Sequence, residues 1–410
     1  MPLIPGDASR IPEGLAALRY RDFRLLLIGL FLALSGWWMI IVAQGWLVLE
    51  LTDRASAVAL VGSMLSIPFL ILGPFSGVVA DRLYRKHLLV TTRSTVSVLM
   101  FIEGVLILGG WVELWHMVVL AFLAGCAFAM DIPARQSLIP DTVHESVVAN
   151  AVAINVSVFS MTTIAGPILG AAVLAIFGAG GCFVANGVGN AALALAIFIM
   201  RIPRRHRAGR WNVTGDFVSG LRYVRAQPVV LLLLTIALVV TLLGRNWQQL
   251  APVFVRDVYG SGEGGLGLLY TAAGVGAVSG ALLLVWLSST ERRAPIYAAA
   301  LTTAFGALAG FALSSTLLMA AAFALLIGLG LQLTETMTQT VVLVQTPEAY
   351  RGRVMSLVSL LWGLQPLGVL VSGVAADAWN PQLAIGAGAA VAALALLSIY
   401  ARTRPIWATF

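Results

Sequence analysis

The sequence predicts an all-α integral membrane protein of about twelve transmembrane helices, built as two parallel six-helix halves. Three observations carry that prediction. Of the 410 residues, 60% are hydrophobic and 10% charged. The apolar residues fall in runs of roughly 20, the length that crosses a ~30 Å hydrocarbon core. The loops repeat at a constant spacing along the chain. A transmembrane β-barrel would instead show segments of roughly ten residues alternating apolar and polar, and these runs do not alternate.

In chain order the expected helices are α1 near 25–49, α2 57–80, α3 88–111, α4 115–133, α5 147–177 and α6 179–200. In the second half they are α7 229–255, α8 266–288, α9 295–313, α10 316–345, α11 354–377 and α12 382–401. The apolar core of α1 is too long for a cleaved signal peptide and no small-residue cleavage site follows it, so α1 is retained. Cys126 and Cys182 lie within α4 and α6 and behave as small hydrophobes, neither a disulfide framework nor a metal site. Asn155-Val-Ser157 and Asn212-Val-Thr214 match the glycosylation pattern, but one lies inside a span and the other on the expected cytoplasmic side.

Lys and Arg are retained on the cytoplasmic side during insertion. With the N-terminus in the cytoplasm, 22 of the 25 cations fall on that side, seven of them between α6 and α7; Arg54 and Arg256 face out and Arg245 stays within α7. The net charge of +7 is therefore a topology signal dispersed over separate loops, and a nucleic-acid surface is excluded. Both termini are expected in the cytoplasm of a bacterial cell, with the protein in the inner (plasma) membrane. The 201–210 cluster is expected to meet anionic lipid headgroups.

A spacing of 207 residues relates Gly73 to Gly280, Arg85 and Lys86 to Arg292 and Arg293, Pro140 and Asp141 to Pro347 and Glu348, and Gly166 to Gly373. Six helices per repeat is an even number, so both halves enter from the same side and are parallel. The expected organisation is a cytoplasmic segment 1–23, a six-helix half 24–201, a linker 202–228 containing the amphipathic stretch Asp216 to Arg225, a second half 229–402 and a tail 403–410.

Ionisable residues within spans are costly and mark candidate sites. Glu335 in α10 shares a face with Gln332 and Gln339. Arg245 in α7 lies near Thr241, Gln248 and Gln249. Counted at about 1.5 Å per residue, the two charges differ in depth by about 9 Å, within reach of two long side chains in one conformation and not in another. Glu103 in α3 is a rival proton carrier, although a residue near the outer end of its helix can simply snorkel. Asp131 near the end of α4 is a third carrier candidate, with a local ion pair to Arg135 as its plainer role. Trp37, Trp38, Gln44 and Trp46 in α1 supply aromatic surface and an amide; interfacial anchoring and lipid contact are the plainer roles for the tryptophans.

The loop Gly77-x-x-x-Asp81-Arg82-x-x-Arg85-Lys86, set between two parallel six-helix halves, resembles the Major Facilitator Superfamily over nearly the whole chain, from Arg21 to Arg402. Gly166-Pro167-x-x-Gly170 in α5 is similar to the motif of proton-coupled exporters, with Ala171 and Thr162 at positions usually glycine. Gly45-Trp-Leu-Val-Leu-Glu-Leu-Thr52, Asp131-Ile-Pro-Ala-Arg-Gln136 and Arg351-Gly-Arg-Val-Met-Ser356 look like the enterobactin-exporter and macrolide-efflux branch. The resemblance implies a central cavity lined by α1, α4, α7 and α10, and export by proton antiport with alternating access. The membrane-embedded arginine that many drug exporters carry in α4 has no counterpart. A carboxylate at a helix end, such as Asp81, can accept from the free N–H groups that start a neighbouring helix. The resemblance makes that helix α11, with Arg135 as a further partner, and makes the contact a gate that closes the cytoplasmic side.

Other classes find little support. The four histidines are scattered over four loop regions, no Walker loop is present, and Gly260-Ser-Gly-Glu-Gly-Gly265 lacks the βαβ unit a dinucleotide fingerprint needs. No cofactor, metal or nucleotide is expected; the expected partners are a small-molecule substrate, protons and membrane lipid. A cavity of aromatic and amide groups with one cation suits an amphipathic organic molecule such as a siderophore, an antibiotic or a lipid-like metabolite. A sensor on a transporter fold, a uniporter and a metabolite importer stay open as alternatives.

Overall fold

The structure, a computed structural model, describes residues 13–73, 84–202, 213–287 and 293–407. Gly77, Asp81 and Arg82 of the loop motif lie outside the described residues. Among those described every regular element is helical. In the first half these are α1 Arg21–Thr52, α2 Ala55–Gly73, α3 Arg85–Leu108 and α4 Leu114–Leu138, followed by one helical stretch Val148–Ile199. A linker helix Val213–Ala226 leads to α7 Pro228–Val258, α8 Glu263–Trp286, α9 Arg293–Ala312, α10 Leu317–Gln345, α11 Glu348–Ala378 and α12 Pro381–Trp407.

By length and hydropathy the described residues hold eleven candidate spans, one of them the 55-residue Glu145–Ile199. Straight, that span would be roughly 80 Å long. It is turned at Gly178, where φ is +67° and ψ −176°, a positive-φ extended conformation that glycine adopts readily and other residues do not. The turn makes α5 (148–177) and α6 (179–199) of it, and the crossings become twelve. Ile176 and Phe177 beside the turn, and Trp286, Leu313 and Leu318 elsewhere, are among the most exposed large apolar side chains. Exposure on that scale is tolerated where the solvent is hydrocarbon. Pro167, Pro252 and Pro366 sit inside helices, as spans allow when neighbouring groups satisfy the freed carbonyls.

The chain divides into two compact units, Met1–Gln44 with Leu72–Arg210, and Gly45–Ile71 with Trp211–Phe410. The division passes through α1, whereas the sequence repeat divides the chain at the linker. The two differ because the end of α1 and most of α2 are repeat members of the first half yet pack against α11 and α7.

In the first unit α3 packs on α4 and on the α5–α6 stretch, around Phe23, Leu26, Leu89, Leu138 and Leu193. Glycines bring α1 close: a Cβ at Gly36 would lie 2.9 Å from Asn186 Cα of α6. In the second unit α8 and α9 pack on α10, and α11 packs on α2 and α12. Gly276, Gly280 and Gly328 form the α8–α10 seam, where an added Cβ would run into the carbonyls of Leu325, Leu329 and Ala273. The small residues of α8 thus serve packing within the chain. The linker helix docks on α11, with Tyr223 stacked on Tyr350 at 4.7 Å.

Candidate functional site

Helix α7 owes its irregularity to two π-turns, Val240–Gly244 and Phe254–Val258, with Arg245 at φ −106°, ψ −4° just after the first. A π-turn carries one extra residue and re-aims the side chains that follow it. Arg245 there donates from Nη2 to Glu335 of α10, forming an ion pair. Glu335 also receives a long 3.5 Å hydrogen bond from Gln339 one turn on, and Gln332 donates to Thr336 at 3.0 Å. Both charged side chains are part-exposed.

The other residues of this stripe do different things. The Gln248 carbonyl accepts from the Tyr270 hydroxyl at 2.6 Å. The Gln249 amide lies against Gly62 of α2, where a Cβ would displace it. Thr241 sits within the first π-turn, half-buried. All of these belong to the second unit.

A second polar cluster lies in the first unit. Asp131 of α4 accepts from Nε of Arg93 in α3 at 2.7 Å and again from its Nη2, and Arg135 approaches the same carboxylate at 3.5 Å. Arg93 also donates to Asn190 at 3.0 Å, Asn190 donates to Asn186 at 2.7 Å, and the Arg93 guanidinium stacks over Phe128. Arg93, Asp131, Asn186 and Asn190 are buried and held to one another by these contacts, whereas Nε of Arg135 meets Asp131 only at ion-pair distance. The sequence pattern paired Asp131 with Arg135 and missed Arg93, counted there with the loop cations. The available signal was depth: Arg93 lies about two turns into α3 and Asp131 about two turns before the end of α4, so antiparallel neighbours bring them level.

Glu103 is fully buried, and neither carboxyl oxygen has a partner among the described residues. It therefore does not snorkel: α3 turns this face inward, and the next residue, Gly104, packs on Val184 and Gly180 of α6. Trp37 meets Phe128 edge-on at 4.9 Å, Gln44 is buried, and Trp46 is buried while donating to Glu50 at 2.7 Å. Gly166 and Gly170 of the α5 motif, flanking Pro167, face Trp38 and Met39, so the motif lies where α5 closes on α1.

Of the loop motif, Arg85 pairs with Asp141 at 3.1 Å and Lys86 donates to the Met200 carbonyl at 2.8 Å. Those contacts tie the start of α3 to the ends of α4 and α6. A cavity of about 370 Å³, lined by Tyr84, Lys86, His87, Val90, Thr91 and Phe198, opens beside them and holds no other candidate residue. Among the described residues no three His, Cys, Asp or Glu side chains are grouped to hold a metal.

Known proteins resemble the chain along most of its length. Residues 13–409 match the family model described as transmembrane secretion effector. The chain is 27% identical over 368 residues to the multidrug efflux pump Tap of Mycolicibacterium fortuitum, covering 86% of this chain and 89% of Tap. It is 23% identical over 360 residues to the staphyloferrin A transporter of Staphylococcus aureus, with 85% and 88% covered. Its fold is shared with a solved mutant of the nucleoside transporter NupG, with a TM-score of 0.78, 12% identity, and 93% of this chain and 99% of that one covered. The chain is accordingly a multi-pass membrane transporter rather than an enzyme, and it belongs to the transmembrane secretion effector family of the Major Facilitator Superfamily.

Proposed function

We propose that this protein exports a small amphipathic organic molecule, siderophore or drug-like in character, across a bacterial inner membrane in exchange for protons, by alternating access. The observation that carries the reading is the Arg245–Glu335 pair within the spans α7 and α10, flanked by Gln332, Thr336 and Gln339. A charged side chain at mid-membrane costs about 2.5–3.5 kcal/mol on insertion scales and is retained where transport uses it. The likeness to a multidrug efflux pump and a staphyloferrin A transporter supports an organic cargo.

Coupling follows from charge. Ionised Glu335 holds Arg245; a proton on Glu335 removes the attraction and frees the guanidinium. Exchange requires that proton and cargo compete, so that each lowers the protein's affinity for the other by the same factor. A cargo presenting hydrogen-bond donors or a cation to ionised Glu335 meets that requirement. The Arg245 guanidinium favours a second reading, cotransport of an organic anion. An anion would bind Arg245 after Glu335 is protonated, so the two would travel together.

In this scheme the loop motif around Asp81 closes the cytoplasmic face. The test is proton flux in proteoliposomes under an imposed pH gradient, with a panel of siderophores, macrolides and cationic dyes and with Glu335→Gln in parallel. Cargo-dependent exchange that falls at least roughly tenfold in the variant, the loss of about 1.4 kcal/mol of coupling, is the expected result. Protons and cargo moving in the same direction would replace exchange by cotransport. Undiminished exchange in Glu335→Gln would remove Glu335 from the coupling.

A further inference from the structure

Helix α2 begins without a cap of its own. Its N-cap residue, Arg54, supplies no side-chain hydrogen bond to the first turn, and the first N–H groups of a helix need an acceptor. The acceptor comes from the far end of the sequence. Asp377, in the last turn of α11, accepts the Ala55 N–H on Oδ1 at 2.7 Å and the Ser56 N–H on Oδ2 at 3.1 Å. An anion is misplaced at the end of its own helix, where the dipole is negative, and well placed at the start of another. Asp377 thus serves α2 rather than α11.

Two neighbouring features reinforce the contact. Gly373, one turn before Asp377, lies against Ala59 of α2 and, at 3.1 Å from an added Cβ, the Ala55 carbonyl; only glycine lets α11 come this near. Beside it Arg256, in the second π-turn of α7, pairs with Asp53 and donates from Nη1 to the Leu49 carbonyl at 3.2 Å. A cation therefore meets the negative end of α1 while an anion meets the positive end of α2, and helices of the second half supply both.

We propose that Asp377, with Arg256, is a latch that holds the Asp53 face of the transporter closed and opposes Asp81. Asp377 does this at the Asp53 end; in the sequence Asp81 follows α2, and the family resemblance assigns it to the start of α11 at the opposite end. Halves that rock as rigid bodies close one end as they open the other, so the two carboxylates stabilise opposite states. Asp377 is a positioning residue: it touches no cargo and sets how much of the protein is open on each face.

The test reads conformation without cargo or pH gradient. Its outcome is therefore separate from that of the proposed export, on which the latch rests only in requiring that α2 and α11 part. Ser63 of α2 is buried; Ser63→Cys is placed in a background with Cys126→Ala and Cys182→Ala, and its reaction with a membrane-impermeant maleimide is timed from each side of proteoliposomes. Asp377→Asn should speed labelling from the Asp53 side roughly tenfold, a shift of about 1.4 kcal/mol. Asp377→Glu should label near the parent rate, Asp81→Asn should slow labelling, and the double variant Asp81→Asn with Asp377→Asn should return toward the parent. Should Asp377→Asn fail to give monodisperse protein, Arg256→Gln serves, with the same direction expected. A folded Asp377→Asn protein that labels at the parent rate, or an Asp81→Asn protein that labels faster, overturns the latch.

Discussion

Asp131 receives two arginines, and that asymmetry predicts how its partners respond to mutation. Arg93→Leu leaves Asp131 beside Arg135 and Asn190 without its donor. Asp131→Asn leaves two guanidinium groups converging on a neutral amide. Breaking a buried pair by removing one member costs roughly 3–5 kcal/mol. Asp131→Asn should therefore lower the melting temperature of the purified protein more than Arg93→Leu does, and the reverse order would show that Arg135 does not share the carboxylate. At the Arg245–Glu335 pair the part-exposed geometry makes function the readout. The swap of Arg245→Glu with Glu335→Arg should retain measurable transport where each single change loses more than roughly tenfold; a swap as inactive as either single variant would separate the two roles. The sequence shows Glu335, Arg245, Glu103 and Asp131 as costly residues within spans. It does not show that Glu103 has no hydrogen-bond partner among the described residues or that Asp131 has several, because both facts depend on which helix lies opposite.

Helix α7 departs from its neighbours: two π-turns and Pro252 interrupt it, and one of those turns precedes Arg245. Its continuous apolar run reads in the sequence as one straight span, since a π-turn changes hydrogen-bond register without changing composition. Between α8 and α10 the decisive feature is the absence of side chains. Gly276 lies against the Leu325 carbonyl, and a Cβ there must push two backbones apart. Over-packing of this kind costs about 1–3 kcal/mol and more where backbone is struck. Gly276→Leu should reduce the yield of monodisperse protein on size exclusion, while Gly306→Ala, whose Cβ meets nothing within 4 Å, should leave it unchanged. Equal behaviour of the two would remove the seam. Spacing presents both glycines alike, as members of small-xxx-small pairs, and only the neighbours distinguish them.

Across the whole molecule, the number of crossings decides the side on which the ends emerge. With the turn at Gly178 making two spans of Glu145–Ile199, twelve crossings are expected, and with them both termini on one face of the membrane; eleven crossings would put them on opposite faces. Tags at the two ends should show the same accessibility to protease in sealed vesicles, and opposite accessibility would mean that Glu145–Ile199 crosses once. The distribution of arginines predicts that this shared face is the cytoplasmic one. Gly178→Ala, which forces a non-glycine residue to φ +67°, ψ −176°, should cost about 1–3 kcal/mol in thermal stability without changing tag accessibility.

Length, hydropathy and the 207-residue repeat determined from sequence alone that this chain spans a membrane about twelve times in two related halves, because the bilayer demands runs of a fixed length and apolar composition. The Gly77–Lys86 motif pointed to the superfamily because its residue order is specific. Tertiary structure alone decided the pairings. Arg93 joins Asp131, Arg245 joins Glu335, and Asp377 caps α2 from more than three hundred residues away. Such pairs depend on helix rotation, depth and closeness, which the chemistry of the bilayer leaves free and which only the packing of one helix against another sets.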